Sequence, residues 1–242
     1  MMKILTWNIN HRIHPKKIPP QMAEAIASLS PNIIVLTEYV EGPSHNQFMD
    51  DLKSCGFPHH LLSPFGERQN RILIASQSAL KEGTIKGPEK IIPAVPCNVL
   101  HVIEKDTGIG ILGLRMPLPM NSTQKKAWWD WVTTVALENQ DIPFIITGDF
   151  NTDPVLSKGP NGKIRFDYLQ ENGWICDIPG TSSWWWNNKD EYSWKLDHTL
   201  LTRRHFSKPR SEYLTESGPY CFARKPGAMS DHAVSVVSAD LR

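Results

Sequence analysis

The chain has 242 residues, with 26 Lys plus Arg against 25 Asp plus Glu and a formal net charge of +1, so no global positive field draws it to nucleic acid and any phosphate-binding surface must be local. One hydrophobic core can serve this length, and nothing in the middle reads as a long linker, which predicts a single domain over residues 1–242. The four cysteines, Cys55, Cys97, Cys176 and Cys221, show no C-x-x-C spacing; that argues against a zinc site or dense disulfide framework and favours a reducing cytoplasm.

The first element begins at once. Ile4-Leu5-Thr6-Trp7-Asn8 is an apolar, strand-like run that leaves no room for a secretory signal. No apolar run approaches the roughly 18 residues that would suggest a membrane span. A helical pattern runs from Gln21 to Leu29 after a proline pair, followed by a second strand, Ile33 to Glu38. The next helix spans Ser44 to Cys55, with Ser44 as the expected N-cap and Gly56 as the stop. Strands are expected at 70–76, 98–104 and Gly110 to Arg115, then a long helix from Asn121 to Asn139 opening on Asn121 or Ser122. Phe144 to Asp149 is another strand, and Ile164 to Asn172 a short helix ending before Gly173.

Four of these strands are near-continuous apolar runs that end in a polar group, the pattern of strands covered on both faces. Near the C-terminus the polarity reverses: Leu196-Asp197-His198-Thr199-Leu200-Leu201 and Asp231-His232-Ala233-Val234-Ser235-Val236-Val237 carry their acidic groups first. If the late strands run antiparallel to the early ones, Asn8, Glu38, Asp149, Asp197, Asp231 and His232 meet at one sheet edge, a usual place for a functional pocket. The mixture of alternating and consecutive strands predicts two mixed sheets packed face to face with helices outside, a four-layered α/β sandwich.

Thr6-Trp7-Asn8-Ile9-Asn10, Leu36-Thr37-Glu38, Gly148-Asp149-Phe150-Asn151, Trp194-Lys195-Leu196-Asp197 and Ser230-Asp231-His232 together resemble the endonuclease/exonuclease/phosphatase family. Each motif alone is weak; their order, strand-end placement and spread over nearly the whole chain make the combination specific. The resemblance implies a hydrolase of phosphate esters that uses Mg²⁺, with Mn²⁺ as a substitute. It implies Glu38 as the main metal ligand, with Asn8 and Asp231 completing the shell. Asp149 would activate the attacking water, Asn151 hold the scissile phosphate, and His232, held by Asp197, stabilise the developing charge.

Two positions depart from the family pattern. Asn10, placed with the substrate-binding residues, stands where abasic-site endonucleases commonly carry a metal-site aspartate. Arg115 stands where relatives place a tyrosine or histidine near the phosphate; a guanidinium binds phosphate but is no proton donor. His198 follows Asp197 and is expected on the opposite face of its strand.

Among the tryptophans, Trp128, Trp129 and Trp131 on the long helix read as core. In Trp184-Trp185-Trp186, alternation sends Trp185 to one face and its neighbours to the other, and Trp185 is the candidate for stacking on a base. DNA is the expected substrate because Trp194 to Asp197 resembles the abasic-site endonucleases and Arg203, Arg204, Lys208 and Arg210 follow. The short stretch between Asn151 and Trp184 argues against a dedicated abasic-site enzyme. The alternatives are a phosphodiesterase or phosphatase for a lipid headgroup or small molecule, and an inactive binding module. Retention of the whole polar set weighs against the last. No stable protein partner is indicated.

Overall fold

A computed structural model describes residues 1–10, 17–64, 70–89, 95–157 and 161–242. Among the described residues there are two six-stranded mixed sheets. In spatial order the first contains Phe206–Leu214, Val234–Leu241, Met2–Asn8, Ile33–Tyr39, Arg71–Ser76 and His59–Leu62. The second contains Leu80–Glu82, Val99–Glu104, Gly110–Arg115, Phe144–Asp149, Asp197–Thr202 and Trp174–Cys176.

Helices occupy Met22–Ser28, His45–Ser54, Ser122–Glu138 and Lys163–Glu171, each within one residue of its expected ends. Asn121 caps the long helix through a reciprocal pair of bonds with Gln124, satisfying amides that the first turn leaves open. Ser44 sits at its expected capping position, but its side chain makes no capping bond. Gly56 follows that helix at φ 95°, a backbone that glycine adopts without a Cβ penalty. None of the described helices is long and apolar enough to cross a membrane.

The side-chain alternation sorts the core into three slabs. Leu5, Trp7, Ile34, Leu36, Leu73 and Ala75 turn outward from the first sheet onto the first two helices. Ile4, Val35, Ile74, Ile111, Ile145 and Leu201 fill the space between the sheets, and Leu112, Leu114, Ile146 and Leu200 meet the last two helices together with Trp128 and Trp129. This is the expected four-layered sandwich. A polar seam crosses the inter-sheet slab, where Thr6 Oγ1 hydrogen-bonds Thr147 Oγ1, which in turn bonds Thr199 Oγ1 at 2.7 Å.

Four strands were not legible as apolar runs: 59–62, 80–82, 174–176 and 206–214. All four are sheet edges, and edge strands need no continuous apolar sequence because neighbours do not enclose them.

Gly148 has φ 150°, and a Cβ built there would lie 1.8 Å from the Leu114 carbonyl oxygen. Backbone cannot yield as a flexible side chain would, so Gly148→Ala is expected to lower unfolding stability by at least about 2 kcal/mol. Urea denaturation checks this; an unchanged midpoint would show that the strand can shift to make room.

Candidate active site

Strand register assembles the site before any side chain is considered. In the second sheet Asp149 pairs with Arg115 on its parallel side and with Asp197 on its antiparallel side, so three charged residues stand in one row. In the first sheet Asn8 ends the central strand beside Thr37. The Asn8 amide joins the two sheets: its Nδ2 donates to Asp149 Oδ2 at 3.0 Å and to Glu38 Oε1 at 3.1 Å. Its Oδ1 accepts from the backbone N–H of Asn10.

Glu38 reaches this cluster through a break in alternation. Thr37 already faces the second sheet, so strict period two would turn Glu38 toward the helix layer. Instead Glu38 has φ 56°, and pairing with the Arg71–Ser76 strand slips between Leu36 and Tyr39. Tyr39 takes the helix-side position, stacked on Phe48 with centroids 6.1 Å apart. Glu38 is thereby delivered to Arg115, whose Nε and Nη2 donate to its Oε1 at 3.0 and 2.7 Å. A left-handed glutamate is a costly conformation, and here it stands at a buried polar cluster, the setting in which such strain is commonly held.

Asp149 is almost fully buried. Its Oδ1 accepts from the Asn151 N–H at 2.8 Å, and its Oδ2 also receives Asn151 Nδ2 at 3.2 Å. Burial, then the facing Asp197 charge, push its pKa up to about 6, against the opposing pull of His232 and Arg115. His232 Nδ1 lies 2.8 Å from Asp197 Oδ2. Burial works against a charged imidazole there, but the charge and hydrogen bond of Asp197, with Asp149 and Asp231 behind it, outweigh burial and raise the pKa to about 9. Asp197 is fixed in turn by Tyr213, whose hydroxyl donates to the Asp197 carbonyl at 2.6 Å, and Trp7 Nε1 donates to the His232 carbonyl at 2.9 Å.

Asn8, Glu38, Arg115, Asp149, Asn151, Asp197 and His232 thus come together. Asn10, at φ 46°, follows Asn8 at the rim. Asp231 stands beside His232, and its carboxylate accepts from Trp184 Nε1 at 3.1 Å and approaches the Ser230 hydroxyl at 3.5 Å. His198 does lie on the opposite face, bonded to the Thr152 and Lys195 carbonyls and packed on Phe166.

Two expectations are corrected. Trp185 is only 6% exposed and packs with Tyr213, Ala223 and Ala233, so it presents no stacking face. Trp184 stands next to His232 at 6.3 Å between centroids, and Trp186, 57% exposed, packs edge-on against Trp184 at 6.0 Å. Alternation separated these rings correctly but could not say which face was wet. Arg203 and Arg204 also lie elsewhere: Arg204 pairs with Asp141 and Arg203 with the Trp174 carbonyl, at the end of the Asp197–Thr202 strand remote from Asp197.

Ser230 was missed as an individual residue, although it opens the Ser230-Asp231-His232 motif. Its hydroxyl donates to the Asn8 carbonyl at 2.6 Å and accepts from the His232 N–H, tying two strand ends into one unit. Beside Asn151, Met116, Lys125, Thr152, Ser157 and Asn161 line a polar cleft of about 280 Å³.

The donor set fits a hard divalent ion that keeps much of its water. Glu38 receives its protein hydrogen bonds on Oε1, which leaves Oε2 for a cation, and Asn8 supplies a neutral amide. Among the described residues no group of three or more His, Cys, Asp or Glu is placed to hold a metal ion by itself.

A family model described as the Endonuclease/Exonuclease/phosphatase family matches residues 5–232. No curated protein matches the sequence. Among solved structures, an AP endonuclease from Archaeoglobus fulgidus aligns with a TM-score of 0.68 at 16% identity, covering 99% of this chain and 100% of that one. The 3′ phosphatase NExo from Neisseria, bound to a product DNA hairpin, aligns with a TM-score of 0.69 at 18% identity over 99% and 100%. Truncated TDP2 from Caenorhabditis elegans aligns at 0.68 and 15% identity over 98% and 96%. At such identities the likeness establishes a common fold.

Proposed function

Since the chain belongs to the endonuclease/exonuclease/phosphatase family, we propose that residues 1–242 act as one domain that hydrolyses phosphodiester bonds in DNA with Mg²⁺, or Mn²⁺ in its place. The observation that carries this reading is the pairing of two buried groups with opposite tasks. Burial and the facing Asp197 charge push the Asp149 carboxyl up to about 6, and Asp197 outweighs burial to raise His232 to about 9, which suits the first to accept a proton and the second to carry a positive charge.

Asp149 accepts a proton from the attacking water, while Asn8 and Asn151 hold its carboxylate in place. His232, charged and oriented by Asp197, donates to a phosphate oxygen as negative charge grows there, and Arg115 adds a second fixed cation. Asn151 contributes an amide beside the same phosphate. Glu38 and Asn8 would hold the divalent ion, which would supply positive charge to offset the negative charge that develops on the phosphate.

DNA is favoured over other phosphodiesters by the exposed indole of Trp186 beyond Trp184, a face suited to stacking on a base. The named functions of the structural neighbours point the same way. The cytoplasm suits a chain whose four cysteines are all free. A second reading, a phosphodiesterase or phosphatase for a lipid headgroup or small molecule, draws support from the position of Arg203 and Arg204 away from the site.

The test is a panel of plasmid DNA, abasic duplex, single-stranded DNA, RNA, sphingomyelin and inositol phosphates, each with Mg²⁺ and with chelator. We expect Mg²⁺-dependent DNA cleavage, and Glu38→Gln should require at least about tenfold more Mg²⁺ for half-maximal rate. Headgroup or phosphate release without DNA cleavage would replace DNA as the substrate, and full turnover in excess chelator would remove the metal from the mechanism.

A further inference from the structure

Arg115 and a divalent ion need the same carboxylate. The guanidinium spends two donors on Glu38 Oε1, at 2.7 and 3.0 Å, and its Nε lies 4.0 Å from Asp149 Oδ2. The side chains of Arg115 and Glu38 are only 16% and 12% exposed, so solvent screens neither charge well. A tyrosine or histidine at this position would bring no permanent positive charge. Here the first row of the site is already largely neutralised from within.

We propose that Arg115 is an internal counter-cation that weakens divalent-ion binding at Glu38 until a phosphate engages its remaining donors, so that metal and phosphate bind with positive coupling. A cation at Glu38 Oε2 would sit beside the guanidinium and be repelled by it. A guanidinium carries five N–H donors, and Nε and Nη2 make the bonds to Glu38, leaving capacity for a phosphate oxygen. Once that anion is in place, the local charge of Arg115 is offset and the repulsion relaxes. No large rearrangement is needed, because the guanidinium holds Glu38 and phosphate at once. By reciprocity the metal then strengthens phosphate binding by the same factor. The protein would bind its ion chiefly when substrate is present, which limits idle metal loading.

The coupling rests on Glu38 being the metal ligand, so the experiment separates the two claims. Mg²⁺ is titrated calorimetrically into wild type, Arg115→Gln, Arg115→Lys and Glu38→Gln, each with and without inorganic phosphate. In wild type, phosphate should tighten Mg²⁺ binding about tenfold. Arg115→Gln should bind Mg²⁺ about tenfold more tightly than wild type without phosphate, and phosphate should then add less than twofold. Arg115→Lys, which keeps the charge, should stay near wild type without phosphate and rules out a packing artefact. Weak binding in Glu38→Gln together with equal affinities in wild type and Arg115→Gln would overturn the coupling alone. Unchanged binding in Glu38→Gln would overturn the metal assignment and the coupling with it.

Discussion

Asp149→Asn is expected to lower turnover at saturating substrate by about 10²–10⁴-fold, with a much smaller change in apparent substrate affinity. The substitution keeps the shape and an acceptor for the Asn151 N–H but removes the group that takes the proton. Wild-type activity should rise as pH passes about 6, where burial and Asp197 have moved the Asp149 carboxyl, and the variant should lack that limb. Stability gives an independent check. The folded pKa lies above the unfolded value of about 3.9, so the contribution of Asp149 to stability is fully present below that value and is lost as pH rises through about 6. Chemical denaturation of the metal-free protein from pH 4 to 6, below the range in which His232 loses its proton, should show this decline more steeply in wild type than in Asp149→Asn. A variant with wild-type turnover would exclude Asp149 as the base.

His232→Gln should lower turnover by about 10²–10³-fold, the usual scale for losing one preorganised donor at developing negative charge. Glutamine keeps a hydrogen-bond donor for Asp197, so the variant avoids the penalty of a buried carboxylate with no partner. The pH signature differs from that of Asp149. His232 has a folded pKa of about 9 against about 6.5 unfolded. Its stabilising ion pair is therefore complete below about 6.5 and fades as pH rises through about 9. Denaturation midpoints at pH 6 and 10 should differ more in wild type than in His232→Gln, and wild-type turnover should fall above about 9. Equal pH dependence in both proteins would show that the Asp197–His232 pair is not ionised as described.

Much of this site was legible because it sits where strands end. Asn8, Asp149, Asp197 and His232 flank apolar runs, and the reversed polarity of the late runs anticipated the antiparallel pairing of Asp197 with Asp149. Glu38 was legible as a residue but not as a direction, since only the slip between Leu36 and Tyr39 turns it inward. Trp185 failed for a related reason: alternation divides rings into two sets, while burial depends on distant partners such as Tyr213 and Ala223. The placement of Arg203 and Arg204 needed only arithmetic. The strand Asp197–Thr202 has six residues, and at about 3.3 Å each they carry the chain almost 20 Å from Asp197 before the arginines begin. The edge strand Phe206–Leu214 was obscured by its polar residues and Pro209.

The threonine seam sets the tolerance to which this chemistry is built. Thr6, Thr147 and Thr199 each stand two residues from Asn8, Asp149 and Asp197 on the same strands, hence one side-chain layer beneath them on the same face. The aliphatic slab farther down is adhesive but nearly indifferent to small lateral offsets, because dispersion has no preferred direction. Hydroxyl contacts have one. The lateral alignment of Asn8 over Asp149 is therefore indexed by three short, buried side chains, in the way a dowel aligns two plates that glue alone would let creep. Substitutions in that layer should show up first as lost catalytic precision, well before the sandwich itself gives way.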